Sequence, residues 1–238
     1  MPPALSVFLI LFLAIFAQSV LGFGSALISM GVLSTILGLQ TAAPFFALIA
    51  LALEIILVIY YRHALNLQNV WKLTVGSLLA IPLGLYALKT LPEHITITVL
   101  GVLLIAYALY ALSGLQLPEL HHPAWAYSLG FLSGLIGSAY NTGGPPVIIY
   151  GNCRRWSPAE FKANLQGFFL VNSIALVIGH SLTQSYTPVV WQYLGVGLLA
   201  TLLGILAGTR LDQFINPTLF RKIVLWVLIG LGIHLVIL

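Results

Sequence analysis

Apolar residues fill long, nearly uninterrupted stretches of this chain, and short polar segments separate them. Each stretch approaches the length of about 20 residues that a helix needs to cross a bilayer. The stretches are Val7–Leu21, Ala43–Tyr61, Leu73–Leu88, Thr96–Leu112, Gly167–Gly179, Val189–Ala207 and Val224–Leu238. This pattern predicts an all-α polytopic membrane protein.

The second half of the chain repeats the first half at a constant offset of 120 residues. Val70–Ile95 aligns with Val190–Ile215 without a gap, and ten of 26 positions are identical, among them Trp71 with Trp191. A leucine-rich background does not explain a shared Trp, so we interpret the halves as a duplication. Residues 1–113 form the first repeat, 114–123 the linker and 124–238 the second repeat, within one transmembrane domain.

Each repeat opens with an apolar unit that glycines interrupt. The two interruptions are "GFGSALI" at Gly22–Ile28 and "NTGGPPVI" at Asn141–Ile148, and the offset places Gly24 on Gly144. Proline removes a backbone donor, which a membrane helix tolerates only where protein or a wet cavity satisfies the exposed backbone. Proline also favours the first turn of a helix. We therefore predict a turn at Gly143-Gly144, followed by a new half-helix.

Each half is thus a broken unit followed by three transmembrane helices, which gives about eight membrane segments. If the broken unit crosses the membrane once, the halves are parallel; if it is re-entrant or crosses twice, they are inverted. Inversion is favoured, because it puts eight basic residues on one side against one, whereas parallel halves give seven against two. Both arrangements put the two termini on the non-cytoplasmic side of the cell inner membrane.

The two breaks are the best candidates for a binding site. A helix N-terminus presents unpaired N–H groups and a partial positive charge, which suit an anion. We expect the breaks to meet near the bilayer midplane, with Ser25 as the cap of the first half-helix. The alternative is that glycine and proline only kink the helices and allow close packing. The substrate-binding candidates here are Gln18, Gly24, Ser25, Asn141, Thr142, Gly143 and Gly144.

Two further substrate-binding candidates, Lys162 and Gln166, lie on the helix after the second break. Lys162, Gln166 and Ser173 recur at helical spacing, so a polar stripe is expected to run inward from the cytoplasmic end. Asn164 and Asn172 are expected on other faces of that helix. The alternative for Lys162 is an anchor at the cytoplasmic surface.

Glu54 is the only acidic residue in the middle of a predicted span. An ionised carboxylate there is costly, so the side chain should be protonated, paired or facing a cavity. This makes Glu54 a candidate for proton coupling. The alternative is a protonated carboxyl group hydrogen-bonded to a neighbouring helix.

Composition excludes several classes of protein. Hydrophobic residues make up 60% of the chain and charged residues 6%, with a mean hydropathy of +1.07, which leaves too little polar surface for a soluble globule. The nine basic residues report topology rather than a nucleic-acid partner. Cys153 is the only cysteine, so neither an intrachain disulfide nor a thiol metal site is expected.

Catalytic motifs are also missing from the sequence, which contains no HExxH, GxSxG or Walker pattern. We therefore expect no catalytic residues, no metal and no cofactor. An intramembrane enzyme is the less favoured alternative, since only Thr142 and Ser138 offer a nucleophile at the second break.

The segments "GFGSALISMGVL", "GLIGSAYNTGGPPVIIY" and "KANLQGFFLVNS" give the chain its resemblance to the TauE/SafE family of sulfite and organosulfur anion transporters. The resemblance covers essentially the whole chain, including two related halves that each open with a glycine-rich break. The first break here has Gly-Phe-Gly-Ser and no nearby proline until Pro44, so either both breaks or the second alone would bind substrate.

The resemblance implies a secondary active transporter, with a small anion, protons and membrane lipid as its partners. Sulfite, sulfonates or sulfoacetate would be exported with proton coupling. The rival interpretations are an anion channel and a subunit of a larger membrane complex. Substrate, direction, coupling ion and oligomeric state stay open at this point.

Overall fold

The computed structural model describes residues 3–115 and 117–238, which form α-helices joined by short loops. In chain order the helices are α1 (Pro3–Leu21), α2 (Ser25–Leu37), α3 (Leu39–Tyr61), α4 (Leu67–Thr90), α5 (Glu93–Ser113), α6 (Pro123–Tyr140), α7 (Gly144–Cys153), α8 (Pro158–Leu182), α9 (Pro188–Leu211) and α10 (Pro217–Ile237). Single 3₁₀ turns, Arg62–Ala64 and Asp212–Phe214, follow α3 and α9. The described ranges contain no β-strand, which confirms the predicted all-α class.

Several helices start at residues whose side chains satisfy the first backbone N–H groups. The Oδ1 atom of Asn66 accepts the N–H of Gln68 at 3.0 Å where α4 begins. Ser157 and Glu160 form a reciprocal capping box at the start of α8. Such caps satisfy donors that a helix leaves unpaired at its start, so these boundaries follow from local sequence.

Seven of the described helices are long and apolar enough to cross a membrane, namely α1, α3, α4, α5, α8, α9 and α10. Each one coincides with one of the seven apolar stretches found in the sequence. The polytopic membrane class is therefore confirmed.

Helices α2 and α7 are much shorter than a membrane span. They have 13 and 10 residues, which correspond to about 20 and 15 Å at about 1.5 Å per residue. The hydrocarbon core of a bilayer is about 30 Å thick. Helix α7 begins at Gly144, so the predicted turn lies slightly earlier, at residues 141–143, and Pro145 and Pro146 occupy the first helical turn.

Helix α7 folds back along the second half of α6. The hydroxyl group of Ser133, in the middle of α6, donates a hydrogen bond to the carbonyl oxygen of Gly143. Next to this contact, Leu132 of α6 and Pro146 of α7 line one groove. At the first break, the side-chain oxygen of Gln18 on α1 accepts a hydrogen bond from the backbone N–H of Ser25 on α2. Each half therefore begins with a helical hairpin whose tip lies inside the protein.

Four loops share one end of the bundle, here named the basic end; their described residues are 62–66, 114–115 with 117–122, 154–157 and 212–216. The contacts that connect them run from Asn66 N to Asn164 Oδ1 (2.9 Å), from Lys162 Nζ to Asp212 Oδ2 (3.2 Å) and from Arg155 Nη2 to the Leu117 oxygen (3.4 Å). At the opposite end, Lys89 donates to the carbonyl oxygen of Thr183. Most basic residues therefore gather at one end.

The helices of the two halves pack on each other reciprocally. Helix α1 packs on α9 and α6 packs on α4, while α3 packs on α8 and α5 on α10. Counted within each half, the first helix of either half thus contacts the fourth helix of the other. A two-fold relation between duplicated halves produces such an exchange. The packing supports the duplication, and both parallel and inverted halves would give it; duplication and inversion stay predictions.

The contact between α4 and α6 depends on glycine. A methyl group added to Gly130 would overlap the backbone carbonyl of Leu73, and one added to Gly134 would overlap that of Ser77. Small residues allow this close approach of helices in membranes, where no hydrophobic force drives them together.

We expect Gly130→Ala to lower the melting temperature of the detergent-purified protein, because overpacking costs about 1–3 kcal/mol. The matched control is Gly195→Ala, since a methyl group there meets no atom within 4 Å. The control should be neutral or slightly stabilising, because alanine is the better helix former. Equal melting temperatures for the two variants would show that α4 and α6 are not in close contact.

Candidate functional site

The two breaks border one cavity in the middle of the bundle, here named the central cavity. Its polar lining consists of Gln18, Ser25, Glu54, Ser133, Ser138, Asn141, Thr142, Asn172 and Ser173, and its apolar lining includes Phe23, Phe46, Ile81, Phe168, Phe169 and Leu176. The cavity volume is about 60 Å³. An ordered water needs about 10–15 Å³ measured in this way, so the space holds roughly four to six waters.

At the first break, the backbone turns through two glycines in the left-handed region. Gly22 has φ of 86° and Gly24 has φ of 111°, conformations that are strained for any residue with a Cβ atom. Gly24, rather than the predicted Ser25, is the N-cap, and Ser25 is the first helical residue. The N–H groups of Ala26 and Leu27 have no acceptor within the described residues. Both residues line the cavity, so two backbone donors are available there.

At the second break, Asn141 ends α6 with φ of 56° and its N–H bonds to the Gly137 oxygen at 2.7 Å. Its side-chain amide donates to the Ala43 oxygen on α3 at 2.6 Å. Asn141 therefore joins the break to α3, and one of its two amide N–H groups is already in use. This side chain fixes the geometry of the turn.

The prolines that start α7 also limit its donors. Pro145 and Pro146 have no N–H group, so the first turn of α7 presents fewer donors than an ordinary helix. In the described part of the chain, no acceptor takes the N–H groups of Thr142, Gly143 and Gly144. These three consecutive amides are the backbone donors at the second break.

The hydroxyl group of Thr142 is the clearest unpaired side-chain donor in the cavity. Thr142 is only 1% exposed, and its Oγ1 atom has no hydrogen-bond partner within residues 3–115 and 117–238. Buried polar groups are normally paired, and an exception calls for a missing partner such as an ion or a water.

Gln18 connects the first break to two other helices. Its Oε1 atom accepts hydrogen bonds from the N–H (3.2 Å) and the hydroxyl group of Ser25. Its Nε2 atom donates to Glu54 Oε1 on α3 at 2.9 Å and to Gln166 Oε1 on α8 at 3.3 Å. Gln166 Nε2 in turn donates to the Gly22 oxygen at 2.8 Å. The network is buried and fixes the shape of the break.

Among the described residues, Glu54 is the only titratable one that lines the central cavity. It is 3% exposed, and its second oxygen, Oε2, has no hydrogen-bond partner among the described residues. No lysine, arginine or histidine lines the cavity. An ionised Glu54 would therefore have no counter-ion, whereas a protonated Glu54 could donate from Oε2.

Two cavity residues on α8 differ from expectation. Asn172 was expected on another face of the helix than Ser173, yet both residues line the cavity. The hydroxyl group of Ser77 donates to Asn172 Oδ1, which links α8 to α4. Adjacent helical positions can both border a cavity when it is wider than one side chain. The aromatic lining, Phe46 and Phe168 among it, carries no sequence signal that distinguishes it from ordinary core.

Lys162 and Gln166 lie outside the cavity lining. The Lys162 ammonium is 3.2 Å from the Asp212 carboxylate and 5.8 Å from the centre of the Tyr61 ring. Its stem passes the backbone of Gly22 at the first break. Gln166 contacts the cavity only through Gln18. The structure thus brings Glu54 and the break residues Gln18, Gly24, Ser25, Asn141, Thr142, Gly143 and Gly144 together, and leaves Lys162 at the basic end.

Within the described residues, no group of three or more His, Cys, Asp or Glu side chains is arranged to hold a metal ion. The donors in the cavity are instead amide N–H and hydroxyl groups, a set suited to oxygen atoms that carry negative charge.

Comparison with known proteins agrees with this chemistry. Residues 7–235 match the family described as sulfite exporter TauE/SafE. A relative from Cupriavidus necator, named as a probable sulfite/organosulfonate exporter TauE, is 26% identical over 228 residues, which cover 92% of this chain and 88% of the relative. No solved structure matches the chain. Because the family match extends over nearly the whole sequence, this multi-pass membrane protein belongs to the sulfite exporter TauE/SafE family of transporters.

Proposed function

We propose that this protein is a secondary active transporter that exports small sulfur oxyanions, of the sulfite or sulfonate class, across the cell inner membrane together with protons. The carrying observation is that both helix breaks border one cavity whose free backbone N–H groups and Thr142 hydroxyl find no acceptor among the described residues. The name of the relative, an exporter of sulfite or organosulfonate, supports the choice of substrate.

The size of the cavity supports a small ion. A volume of about 60 Å³ corresponds to roughly four to six waters, and sulfite, one sulfur atom with its oxygens, is of that size. The donors at Ala26 and Leu27 on one side and Thr142 to Gly144 on the other would bind its oxygens. A larger organosulfonate requires the cavity to widen.

The contacts at the basic end support inverted halves. Residues 62–66 and 154–164 meet there, which requires an even number of crossings between them; α4 and α5 supply two, and a re-entrant hairpin at the second break adds none. Single crossing by both broken units would place these segments on opposite sides. By the positive-inside rule the basic end is cytoplasmic, and both termini then face the other side.

The charge balance of the cavity supports proton coupling. An anion and an ionised Glu54 would share a space without a basic residue, and like charges about 4 Å apart repel by about 4 kcal/mol at an effective dielectric constant of about 20. A protonated Glu54 removes the repulsion and offers a donor. Anion binding would therefore favour proton uptake by Glu54.

The ion pair of Lys162 with Asp212 supports a state closed toward the basic end. Lys162 contacts the first break at Gly22, so separation of the pair would free the hairpin and open a path from that end. In this role Lys162 acts on access to the cavity, and its positive charge attracts the anion only after Asp212 has left.

Thr142→Val tests the site. The change keeps the shape of the side chain and removes its unpaired hydroxyl group, so we expect about a tenfold loss of sulfite counterflow in liposomes, the effect of one hydrogen bond to a charged group. Thr201→Val is the matched control, because Thr201 is equally buried but its hydroxyl group bonds only to Gly197 of its own helix. Equal counterflow in both variants would overturn the site.

A further inference from the structure

A second polar pocket lies at the basic end, away from the central cavity. It has a volume of about 250 Å³ and is bordered by the end of α5, by Gly114, Leu115 and Leu117 after it, by the end of α7 and by the start of α10. Its polar lining comes from Tyr110, Asn152, Arg155 and Arg221. We name it the arginine pocket.

Arg221 lines this pocket, and one N–H group of its guanidinium has no hydrogen-bond acceptor in the described ranges. This group is the Nε–H, and the Nε atom is buried. Guanidinium groups are normally paired when they leave water, because a buried charged donor without an acceptor is costly. The arrangement therefore calls for an acceptor in the pocket.

Arg155 provides a second guanidinium group from the other wall. It follows α7 with φ of 54°, in a left-handed conformation where glycine is usual. Its Nη2 atom donates to the Leu117 oxygen at 3.4 Å, and its Nε atom is 3.9 Å from Glu119 Oε1. Glu119 is half exposed and shared with His121.

The described side chains that line the pocket carry a net positive charge, which comes from Arg155 and Arg221. Glu119 is the only acidic side chain that contacts either arginine, and it does not line the pocket. Neither α5, α7 nor α10 contributes an acidic residue to the lining.

We propose that the arginine pocket binds an oxyanion of the phosphate class. Guanidinium groups bind such anions through two parallel hydrogen bonds, and Asn152 and Tyr110 add neutral polar groups. The pocket lies between the ends of α5 and α10, both membrane spans, at the level where phospholipid headgroups meet the protein. The anion is then the headgroup phosphate of an anionic lipid or free phosphate. The arginine pocket shares no lining residue with the central cavity, so this proposal does not rest on the transported substrate.

The test uses the full chain, purified in a neutral detergent. Its thermal unfolding is followed with added phosphatidylglycerol, with phosphatidylcholine and with inorganic phosphate. Arg221→Gln removes the buried charge, Arg221→Lys keeps the charge but loses the planar fork, and Lys222→Gln is the matched control on the exposed neighbour. Arg155→Gln removes the second group from the opposite wall.

We expect phosphatidylglycerol or inorganic phosphate to raise the melting temperature of the wild type, because a ligand of the folded state stabilises it. Arg221→Gln should weaken the apparent affinity at least about tenfold, with Arg221→Lys intermediate and Lys222→Gln unchanged. A response to phosphatidylglycerol alone identifies a lipid headgroup, whereas a response to inorganic phosphate as well identifies a free oxyanion site.

Two results would overturn the proposal. One is that neither phosphate nor phosphatidylglycerol stabilises the wild type more than phosphatidylcholine does. The other is that Lys222→Gln weakens the response as much as Arg221→Gln, since the effect would then come from the general positive charge of this surface. If Arg221→Gln does not fold, the same comparison is made between Arg155→Gln and Lys222→Gln.

Discussion

Gln18→Leu is expected to abolish transport and to lower the stability of the folded protein. Leucine has a similar size but cannot bond to Ser25, Glu54 or Gln166, which all lose a partner in a buried site. Each buried polar group left unpaired costs about 1–3 kcal/mol. The first break would then lose the side chain that holds its half-helix against α3 and α8.

The measurement combines sulfite counterflow in liposomes with thermal unfolding in detergent. We expect a loss of counterflow of at least about a hundredfold, because two or more such bonds are removed together. Gln192→Leu is the matched control, since Gln192 is exposed on α9 and forms no side-chain hydrogen bond in the described ranges. Gln18→Glu keeps acceptors but loses the amide donor, so it should retain stability better than leucine does. Normal counterflow in Gln18→Leu would show that the network is not needed.

The two breaks could be predicted from sequence because clustered glycine and proline interrupt the backbone hydrogen bonds of a membrane helix. Gly22, Gly24 and the Gly-Gly-Pro-Pro run stand out against a lipid-compatible background, and the offset of 120 relates them. Local backbone chemistry is enough for such a prediction. The residue at which α7 starts could not be predicted from the sequence, because either proline can occupy the first turn of a helix.

The hydrogen-bond and ion-pair partners of the site residues could not be predicted from the sequence. Gln18 meets Glu54 across 36 residues and Gln166 across 148 residues, so both contacts depend on how the helices pack. The pairing of Lys162 with Asp212 is likewise a tertiary contact. This contact holds Lys162 at the basic end, outside the cavity in which the sequence predicted a binding role for it.

The number of donors at each break also depended on the structure. The sequence favoured the second break as the stronger anion site, but its two prolines lack the N–H groups that a first turn normally presents. The first break keeps Ala26 and Leu27 as donors. Donors can be counted only when the first residue of a helix is known.

Glu54→Gln is expected to separate anion binding from proton movement. Glutamine keeps an oxygen that can accept from Gln18 Nε2, so the fold should be retained. It carries no charge at any pH, so a bound anion meets no repulsion. In the wild type, rising pH should ionise Glu54 and weaken the binding of a simple alkyl sulfonate, which itself stays ionised throughout.

The pH dependence of sulfonate binding therefore distinguishes the two proteins. We expect the wild-type dissociation constant to rise at least about tenfold from acidic to alkaline pH, within the repulsion of about 4 kcal/mol available at about 4 Å. The Glu54→Gln variant should show a flat profile. Glu93→Gln is the matched control, since Glu93 Oε1 accepts a hydrogen bond from Leu39 N (2.9 Å) but lies outside the cavity; it should keep the wild-type profile.

Proton movement measured in proteoliposomes tests the central claim most directly. Liposomes that enclose a pH-sensitive dye are given an outward gradient of sulfonate at equal pH on both sides. The internal pH should rise with wild-type protein, because each anion leaves with a proton. The signal should disappear in Glu54→Gln while sulfonate efflux continues. Efflux from the wild type without a change in internal pH would contradict a cavity that the anion shares with a protonated Glu54.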